Sequence, residues 1–291
     1  MKARTIGVIL STLAIAFASI VDVGSASADE SALVAAIKSR GTLRAAVDAA
    51  PPNMMLNPTN NKWEGVFIDL MNAWAQELGV KVEYQQTAFG VMVAAIQSDR
   101  VDVGLDLTVN PERLKGAKFT IPVREDIGVF LLGPNNSNIK SLADLNKPEA
   151  KVCVQQGGAY DIALSQAGMK MEILRLPSHS ACIAALDSGR VDGQFAGWVN
   201  AGAYAKTNRG ARIIFTSQPL LKSAISNGLS LRYTDADLKP LNDFTRAWIN
   251  KPDGLGASLK RWNGDVSPIS YAIGEVPQYV KDAVPGTFGR D

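Results

Sequence analysis

The stretch Ala94-Ala95-Ile96-Gln97-Ser98-Asp99-Arg100-Val101-Asp102 returns further along the chain as Ala184-Ala185-Leu186-Asp187-Ser188-Gly189-Arg190-Val191-Asp192, an offset of 184 − 94 = 90 residues. A second matching pair, residues 79–83 and 168–172, has an offset of 168 − 79 = 89 residues. Two matches at nearly one offset, with a long period and only two copies, indicate two units of similar architecture rather than a solenoid.

Each unit alternates strand and helix patterns. In the first unit these segments are 42–47, 68–78, 81–85, 91–97 and 101–105. In the second unit they are 152–154, 160–167, 171–176, 179–187 and 193–196. Apolar residues follow a helical period in the longer segments and an alternating period in the shorter ones. The alternation predicts an α/β fold with mostly parallel sheets.

The order of the segments predicts two lobes. The turn-rich stretch Gly133-Pro134-Asn135-Asn136-Ser137 separates the two units, and helical patterns at 235–250 and 255–262 follow the second one. We expect lobe 1 to span 29–130, lobe 2 to span 131–226, and the chain to return to lobe 1 over 227–264. A C-terminal tail, 265–291, completes the chain. Two crossings between lobes would make a hinge.

The chain begins with the pattern of a secretory signal peptide. Lys2 and Arg4 precede an apolar run over 6–20, and Ala26-Ser27-Ala28 has the small residues of a cleavage site. A membrane anchor is the alternative, but the run is shorter than the roughly 20 residues that a spanning helix needs. We expect cleavage after Ala28 and a periplasmic protein.

The overall charge makes nucleic acid an unfavourable partner. The 291 residues carry 30 basic and 28 acidic side chains, a formal net charge of +2, so there is no broad basic field. A hydrophobic content of 46% is that of a folded globular chain.

The two cysteines, Cys153 and Cys182, are expected to form one disulfide. Export to an oxidising compartment favours pairing, and two buried free thiols are the alternative. His179 is the only histidine of the chain. Because no ligand cluster surrounds it and no phosphate-loop motif occurs, we expect neither a metal nor a cofactor.

Ligands of open parallel sheets bind beyond the carboxyl ends of the strands. Here the segment Leu105-Asp106-Leu107-Thr108-Val109-Asn110-Pro111-Glu112-Arg113 passes from a strand through a turn to a helix start at Pro111. Arg113 can bind a carboxylate through two parallel hydrogen bonds. The alternative is a surface arginine paired with Glu112 or Asp106. Gly157-Gly158 permits close backbone approach, or is an ordinary strand-to-helix turn.

These motifs, in this order, resemble the family-3 bacterial solute-binding proteins of polar amino-acid ABC importers. The stretches that carry the resemblance are Gly41-Thr42-Leu43-Arg44, Pro51-Pro52, Gly65-Val66-Phe67-Ile68-Asp69-Leu70, Leu78-Gly79-Val80, 98–103, Thr108-Val109-Asn110-Pro111-Glu112-Arg113, Phe119-Thr120-Ile121-Pro122, Asp253-Gly254 and Arg261-Trp262-Asn263-Gly264. They extend from Gly41 to Gly264.

The resemblance implies a type II periplasmic-binding-protein fold, in which two α/β lobes close on a small solute. It also implies a monomer that docks on an ABC permease in the inner membrane. Arg113 stands where the family clamps the ligand α-carboxylate, Thr108 where a hydroxyl supports that group, and Phe89 where an aromatic ring packs on the ligand. The backbone around Asp106 and Leu107 would contribute beside it. In lobe 2 the matching turn is Gly157-Gly158-Ala159, with alanine where the family usually has serine or threonine.

The chain departs from the family at positions that set specificity. The aromatic residues that usually flank the Pro-Pro turn are replaced by Ala50 and Asn53. The aspartate that usually binds the ligand ammonium is replaced by Gly197, next to Trp198. Because a buried unpaired ammonium costs several kcal/mol, either another carboxylate binds it or the solute has no α-ammonium.

Asp106 is the expected substitute carboxylate. The alternative is that Asp106 is a structural residue that pairs with Arg113 or caps the helix at Pro111. Asp161 is a weaker candidate because its place at a helix start suits interaction with the helix dipole. Trp198 offers a π-face to a cation or flat ring, or belongs to the core.

The expected function is solute binding without catalysis. The alternative is an exported dehydratase of the cyclohexadienyl type on the same scaffold, which needs a general acid in the cleft. Asp106 would be that acid, since His179 is expected to begin a helix away from the strand ends. A sensor domain is a third interpretation. It is less favoured, because such domains are normally attached to a membrane helix or a signalling domain and neither pattern is seen in the sequence. No serine stands in a nucleophile-elbow pattern.

Overall fold

The computed structural model describes residues 30–262, 271–275 and 277–279. The strands in these ranges are β1 (Thr42–Val47), β2 (Met55–Leu56), β3 (Trp63–Glu64), β4 (Lys81–Gln86), β5 (Val103–Thr108), β6 (Lys118–Phe119), β7 (Arg124–Leu132), β8 (Lys151–Gln155), β9 (Glu172–Leu176), β10 (Gly193–Gly197), β11 (Arg212–Ile214) and β12 (Lys222–Leu229). The helices are α1 (Ala32–Arg40), α2 (Val66–Leu78), α3 (Phe89–Gln97), α4 (Pro111–Leu114), α5 (Leu142–Leu145), α6 (Ala159–Gln166), α7 (His179–Asp187), α8 (Trp198–Thr207), α9 (Asp235–Asn250) and α10 (Leu255–Arg261). The expected signal peptide, 1–28, and most of the tail, 265–291, lie outside the described residues.

Apolar spacing explains the helices that cover the sheet. In α2 the side chains of Phe67, Leu70, Met71 and Trp74 recur at helical spacing, and all four are buried in the core. Gly79 ends this helix with a left-handed backbone, φ 70°, a conformation that glycine adopts without a steric penalty. The helix therefore begins and ends where the sequence pattern predicts, to within two residues.

Ten of the described strands form one mixed sheet in the order β4-β1-β5-β12-β7-β10-β8-β9, with β6 beside β12 and β11 beside β7, and β2 and β3 form a separate antiparallel pair. Strands β4, β1 and β5 run parallel at one end, and β10, β8 and β9 run parallel at the other. The two parallel triplets come from the two repeated units of the sequence. The α/β prediction is thus confirmed, and each repeat provides one triplet with its helices.

The repeated stretch forms the same local structure in both units. Its final aspartate, Asp102 in one copy and Asp192 in the other, accepts a hydrogen bond from the backbone N–H of the first strand, at Arg44 and Lys151 respectively, 2.8 Å long in both. The residues with a left-handed backbone in the two turns are Asp99 and Gly189. The pattern repeated within the chain therefore reflects a helix end, a turn and a carboxylate that holds the first strand of the unit.

The centre of the sheet differs from the expectation of mostly parallel strands. β7 and β12 pair antiparallel with each other, and each also pairs antiparallel with its outer neighbour, β10 for β7 and β5 for β12. These two strands join the parallel triplets. The expected lobe boundaries at 130/131 and 226/227 fall inside β7 and β12, because both strands continue through the centre of the sheet without a break.

Cys153 and Cys182 form a disulfide, as predicted, and both are fully buried. The bond joins β8 to α7 within the second repeated unit. Its ends are 29 residues apart, and in the loop-entropy description a closed loop of that length stabilises the fold by roughly 3–4 kcal/mol.

The described part of the tail packs on the second half of the sheet. Ile273 donates its backbone N–H to the carbonyl of Ile213 in β11 (2.9 Å), and Tyr279 Oη donates to the carbonyl of Thr216 (2.9 Å). Among the described residues, no helix combines the length and the apolar character that crossing a bilayer requires.

Candidate functional site

A small cavity lies between the two halves of the sheet. The ends of β5 and α4 contribute from the first half, the ends of β8 and β10 with the start of α6 contribute from the second, and the central strands β7 and β12 close it between them. The cavity has a volume of about 40 Å³, taken as the space open to the centre of a water-sized sphere. The cavity therefore lies where the topology of strand ends predicts a ligand site.

Seven of the ten predicted ligand-binding residues line this cavity, namely Phe89, Asp106, Thr108, Arg113, Gly158, Ala159 and Gly197. The other three contact its surroundings. Leu107 packs in the core beside Met92, Gly157 donates its backbone N–H to Asp161 (3.0 Å), and Trp198 is buried in the core at the start of α8. Of the two interpretations of Trp198, the structure places its ring in the core.

A bulge in β5 directs Asp106 into the cavity. β5 has one residue more than β12 between the pairs Leu107–Ser226 and Gly104–Gly228. Asp106 lies in this interval and has a left-handed backbone, φ 55°. Aspartate tolerates that conformation better than most residues, and a bulge changes the direction of a strand side chain.

The surroundings of Asp106 make its proton labile near neutral pH. Its Oδ2 accepts a hydrogen bond from Asn53 Nδ2 (2.9 Å), and its Oδ1 lies 3.8 Å from Arg124 Nη2. Burial raises its pKa to about 7, against the opposing effect of Arg124. It neither pairs with Arg113 within 4 Å nor caps α4, because Asn110 accepts the capping hydrogen bond from the backbone of Arg113 (2.9 Å).

Arg113 is held at the start of α4 with its guanidinium toward the cavity. Its Nη1 donates to the carbonyl of Thr108 (3.0 Å). Glu112, a partner considered from the sequence, pairs instead with Lys115. Burial lowers the pKa of Arg113 to about 10, a value at which the group stays charged at neutral pH. Among the described carboxylates, none lies within salt-bridge distance of this guanidinium.

The cavity wall includes two charged residues of β7, Arg124 and Asp126, that sequence reasoning did not single out. Arg124 Nη1 lies 3.2 Å from Asp126 Oδ1, and both side chains are buried. Tyr160 at the start of α6 donates its hydroxyl to Asp126 Oδ2. Burial and the nearby Asp126 raise the pKa of Tyr160, so its hydroxyl keeps the proton that it donates.

The consecutive charges Arg124-Glu125-Asp126 are typical of an exposed turn. For this reason the sequence pattern did not predict that Arg124 and Asp126 belong to the site. In the structure they alternate along a strand, so that Glu125 is exposed while Arg124 and Asp126 face inward. The available signal was the apolar run that follows, Ile127 to Leu132, which marks the segment as a buried strand. Charges at alternate positions of such a strand share one face.

The expectation that His179 lies away from the strand ends was wrong. His179 begins α7 and lines the cavity, because the short turn after β9 returns the chain to the ends of β8 and β10. Its Nδ1 lies 2.8 Å from Gln194 Nε2. Burial lowers its pKa to about 4, so the imidazole is neutral at pH 7.

Hydrogen bonds join the two halves across the cavity. Gln155 at the end of β8 donates to Asp48 Oδ2 (2.6 Å), an oxygen that also accepts the backbone N–H of Phe89 (3.1 Å). Asn200 of α8 donates through Nδ2 to the carbonyl of Pro51. The two halves are therefore in contact on more than one side of the cavity.

The sequence also matches a described protein family over most of this fold. The family model of the bacterial extracellular solute-binding proteins, family 3, matches residues 43–230, which include both parallel triplets and the central strands.

The chain belongs to this family.

Other members of known description resemble this solute-binding protein over different lengths. A probable amino-acid ABC transporter-binding protein of Haemophilus influenzae is 34% identical over 87 residues, 30% of this chain and 34% of that protein. The L-cystine-binding protein TcyJ of Escherichia coli is 27% identical over 241 residues, 81% of this chain and 88% of that protein. Among solved structures, the ancestral amino acid-binding protein AncCDT-1, described as a precursor of cyclohexadienyl dehydratase, superposes with a TM-score of 0.69 at 27% identity, over 79% of this chain and 98% of that one. The solute-binding protein thus has the type II fold.

The chemistry of the cavity is that of a polar binding site. Two guanidinium groups, Arg113 and Arg124, and two carboxyl groups, Asp106 and Asp126, lie among aromatic and amide side chains. Within the described ranges, no cluster of three or more histidine, cysteine, aspartate or glutamate side chains is arranged to hold a metal ion. The cavity therefore presents positively and negatively charged groups close to one another.

Proposed function

We propose that this solute-binding protein is the receptor of an ABC importer, and that it captures a small amino-acid-like carboxylate solute between two lobes. The observation that carries the proposal is Arg113. Its guanidinium is directed at the cavity by Asn110 and Thr108 and has no carboxylate partner among the described residues. A charged, largely desolvated guanidinium without a counterion is suited to bind the carboxylate of a ligand.

Solute capture requires the two lobes, 29–130 with 227–264 and 131–226, to separate and close. The hydrogen bonds from Gln155 to Asp48 and from Asn200 to Pro51 join the two halves, so they would break when the lobes separate. β7 and β12 are the segments that join the two halves, so we propose that they are the hinge. The closed form would then present a defined surface to the permease.

The expected export fits this role. Cleavage after Ala28 would release a periplasmic protein, and the disulfide Cys153–Cys182 is of the kind that persists in an oxidising compartment. A permease in the inner membrane would receive the solute. No catalytic step is part of this proposal.

Isothermal titration of the mature protein with amino acids, their deaminated acids and amines tests the proposal. We expect a carboxylate-bearing solute to bind, and Arg113→Ala to weaken its binding by at least about a hundredfold through loss of a bidentate ionic contact. Arg246→Ala, which removes an exposed arginine of α9, is the matched control and should bind normally. Normal affinity in the Arg113→Ala variant would show that this residue is not the clamp.

A dehydratase of the cyclohexadienyl type is the second candidate, and Asp106 is the observation in its favour. Its pKa of about 7 would allow it to donate a proton inside the cavity near neutral pH. The likeness to AncCDT-1 gives this candidate a structural context. Incubation with a cyclohexadienyl acid, followed by the ultraviolet absorbance of an aromatic product, decides the question: turnover that Asp106→Asn abolishes would make the protein an enzyme.

A further inference from the structure

Gly197 has no side chain, and oxygen atoms of three other side chains crowd the position that a Cβ would take. A Cβ built on Gly197 would clash with Asp126 Oδ2 and would lie 2.5 Å from Tyr160 Oη and 3.0 Å from Asn200 Oδ1. All four residues line the cavity. We call the three atoms Asp126 Oδ2, Tyr160 Oη and Asn200 Oδ1, which converge beside Gly197, the oxygen cradle.

Each oxygen of the cradle can accept a further hydrogen bond. Asp126 Oδ1 already receives the Ile127 backbone N–H (3.1 Å) and Arg124, whereas Oδ2 receives, from the described residues, only the Tyr160 hydroxyl. Tyr160 uses its single proton on that contact, so both lone pairs of its oxygen face other directions. Asn200 donates its amide nitrogen to Pro51, which turns Oδ1 toward Gly197.

Asp126 supplies the carboxylate of the cradle. Its Oδ1 lies 3.2 Å from Arg124 Nη1, and Arg124 Nη2 lies 3.8 Å from Asp106 Oδ1, so two carboxyl groups share this guanidinium. Asp126 also faces Gly197 at the N-terminal end of α8, where the helix dipole stabilises its negative charge.

We propose that the oxygen cradle binds the ammonium group of the solute, with Asp126 as its charged acceptor, and that Gly197 determines specificity by leaving room for these three oxygens to converge. An ammonium has three N–H donors, and the cradle offers a carboxylate, a hydroxyl and an amide oxygen. This inference rests on the proposed function, because it assigns the second charged group of the same solute. Asp106 is the less suitable acceptor, since it loses its charge near neutral pH.

Matched ligand pairs test the proposal. The titration compares alanine with propionate, and each further amino acid that binds with its deaminated acid, on wild type, Asp126→Asn and Tyr160→Phe. We expect Asp126→Asn to weaken amino-acid binding by about ten- to a hundredfold and to change binding of the deaminated acid less than about threefold. Tyr204→Phe is the control, because Tyr204 donates to Asp187 in a similar pair outside this cavity.

A second measurement moves the carboxylate from Asp126 in β7 to position 197 in β10. Gly197→Asp alone should abolish amino-acid binding, because its side chain enters the space of the Asp126 carboxylate. Gly197→Asp combined with Asp126→Gly should restore binding, because it returns one carboxylate to the cradle. The circular dichroism of every variant reports whether it folds.

The outcomes separate this inference from the function on which it rests. Equal losses for amino acid and deaminated acid in Asp126→Asn, or no loss for either, would overturn the ammonium assignment and leave the receptor function standing. A wild-type protein that binds only deaminated acids would overturn the cradle while supporting the Arg113 clamp. A wild-type protein that binds no member of the panel contradicts both.

Discussion

Backbone geometry, burial and neighbouring charge together determine the direction and the pKa of the Asp106 side chain. The bulge in β5 directs it inward, Asn53 and Arg124 fix its carboxyl group, and the lack of water raises its pKa to about 7. A carboxyl group that protonates at such a pH links the stability of the whole fold to the acidity of the compartment.

The stability of the protein should fall as pH rises toward neutrality because of Asp106. Between its ordinary pKa of 3.8 and the folded value of about 7, the folded protein keeps a proton that the unfolded chain releases. Rising pH in this window therefore lowers the free energy of unfolding, by at most about 1.4 kcal/mol per unit. Asp106→Asn removes the titration, so its stability relative to wild type should increase from about pH 5 to about pH 8.

Urea unfolding at both ends of that range measures the effect. Asp253→Asn, an exposed aspartate of the loop before α10, is the control and should keep the wild-type dependence on pH. A constant difference between Asp106→Asn and wild type at every pH would show that Asp106 does not titrate in this window.

At the same scale, sequence patterns predicted part of the cavity and missed the rest for a physical reason. Asp106, Thr108 and Arg113 follow one strand and belong to one local motif, so a strand-to-helix pattern identifies them. Asp126 meets Gly197 only because β7 pairs with β10 in an antiparallel register. That pairing joins distant parts of the chain, and no local pattern encodes it.

Among the elements, the turn before α2 connects backbone strain to the cavity. Gly65 has φ 129°, and a Cβ on it would clash with the carbonyl oxygen of Asn53. The same oxygen accepts the backbone N–H of Phe67 in the first turn of α2 (3.1 Å). The side chain of Asn53 meanwhile holds Asp106, so one residue couples the start of a helix to the binding site.

Gly65→Ala should therefore destabilise the fold by about 1–3 kcal/mol, because it adds both strain and a backbone clash. Gly256→Ala is the matched control: a Cβ there meets no atom within 4 Å, and alanine favours the helix α10 in which it lies. Urea unfolding of both variants checks the prediction. Equal stabilities for Gly65→Ala and wild type would show that the turn relaxes without cost.

The elements themselves were predictable where their signal is local. The strand at Thr42–Val47 and the helix at Asp235–Asn250 have the predicted bounds, because an apolar strand and a helix capped by Thr234 and Asp237 are encoded in neighbouring residues. β7 was not predicted, since its first three residues are charged. Its identity as a strand depends on the partners on both sides of it.

For the whole molecule, the contacts across the cavity should set the balance between closed and open forms. Gln155→Ala removes the donor that holds Asp48 from the other half (2.6 Å). We expect the ligand-free variant to be more open, because a two-state equilibrium shifts when contacts made in one state only are lost. Small-angle X-ray scattering should then give a larger radius of gyration than for wild type.

Gln76→Ala, which truncates an exposed glutamine of α2, is the control for the scattering experiment. It should give the wild-type curve. If Gln155→Ala also gives the wild-type curve, the bond to Asp48 does not influence the opening of the protein.

The repeat made the two-unit architecture predictable for the whole molecule, because each copy is a complete strand–helix–strand–helix–strand unit. The antiparallel centre was not predictable in this way. β7 and β12 lie outside the repeated stretches and gain their structure from joining the two units. The sequence pattern therefore identified the similar parts of the molecule, and the structure was needed to show what connects them.

The position of Trp198 has a practical consequence. Its indole is buried directly after Gly197, a residue of the cavity wall, and its Nε1 has no hydrogen-bond partner in the part of the chain that the structure describes. The wavelength and intensity of indole emission depend on the polarity and packing around the ring. Arrival of a solute would thus change the light that the protein itself emits, and capture could be followed in real time without attaching a dye.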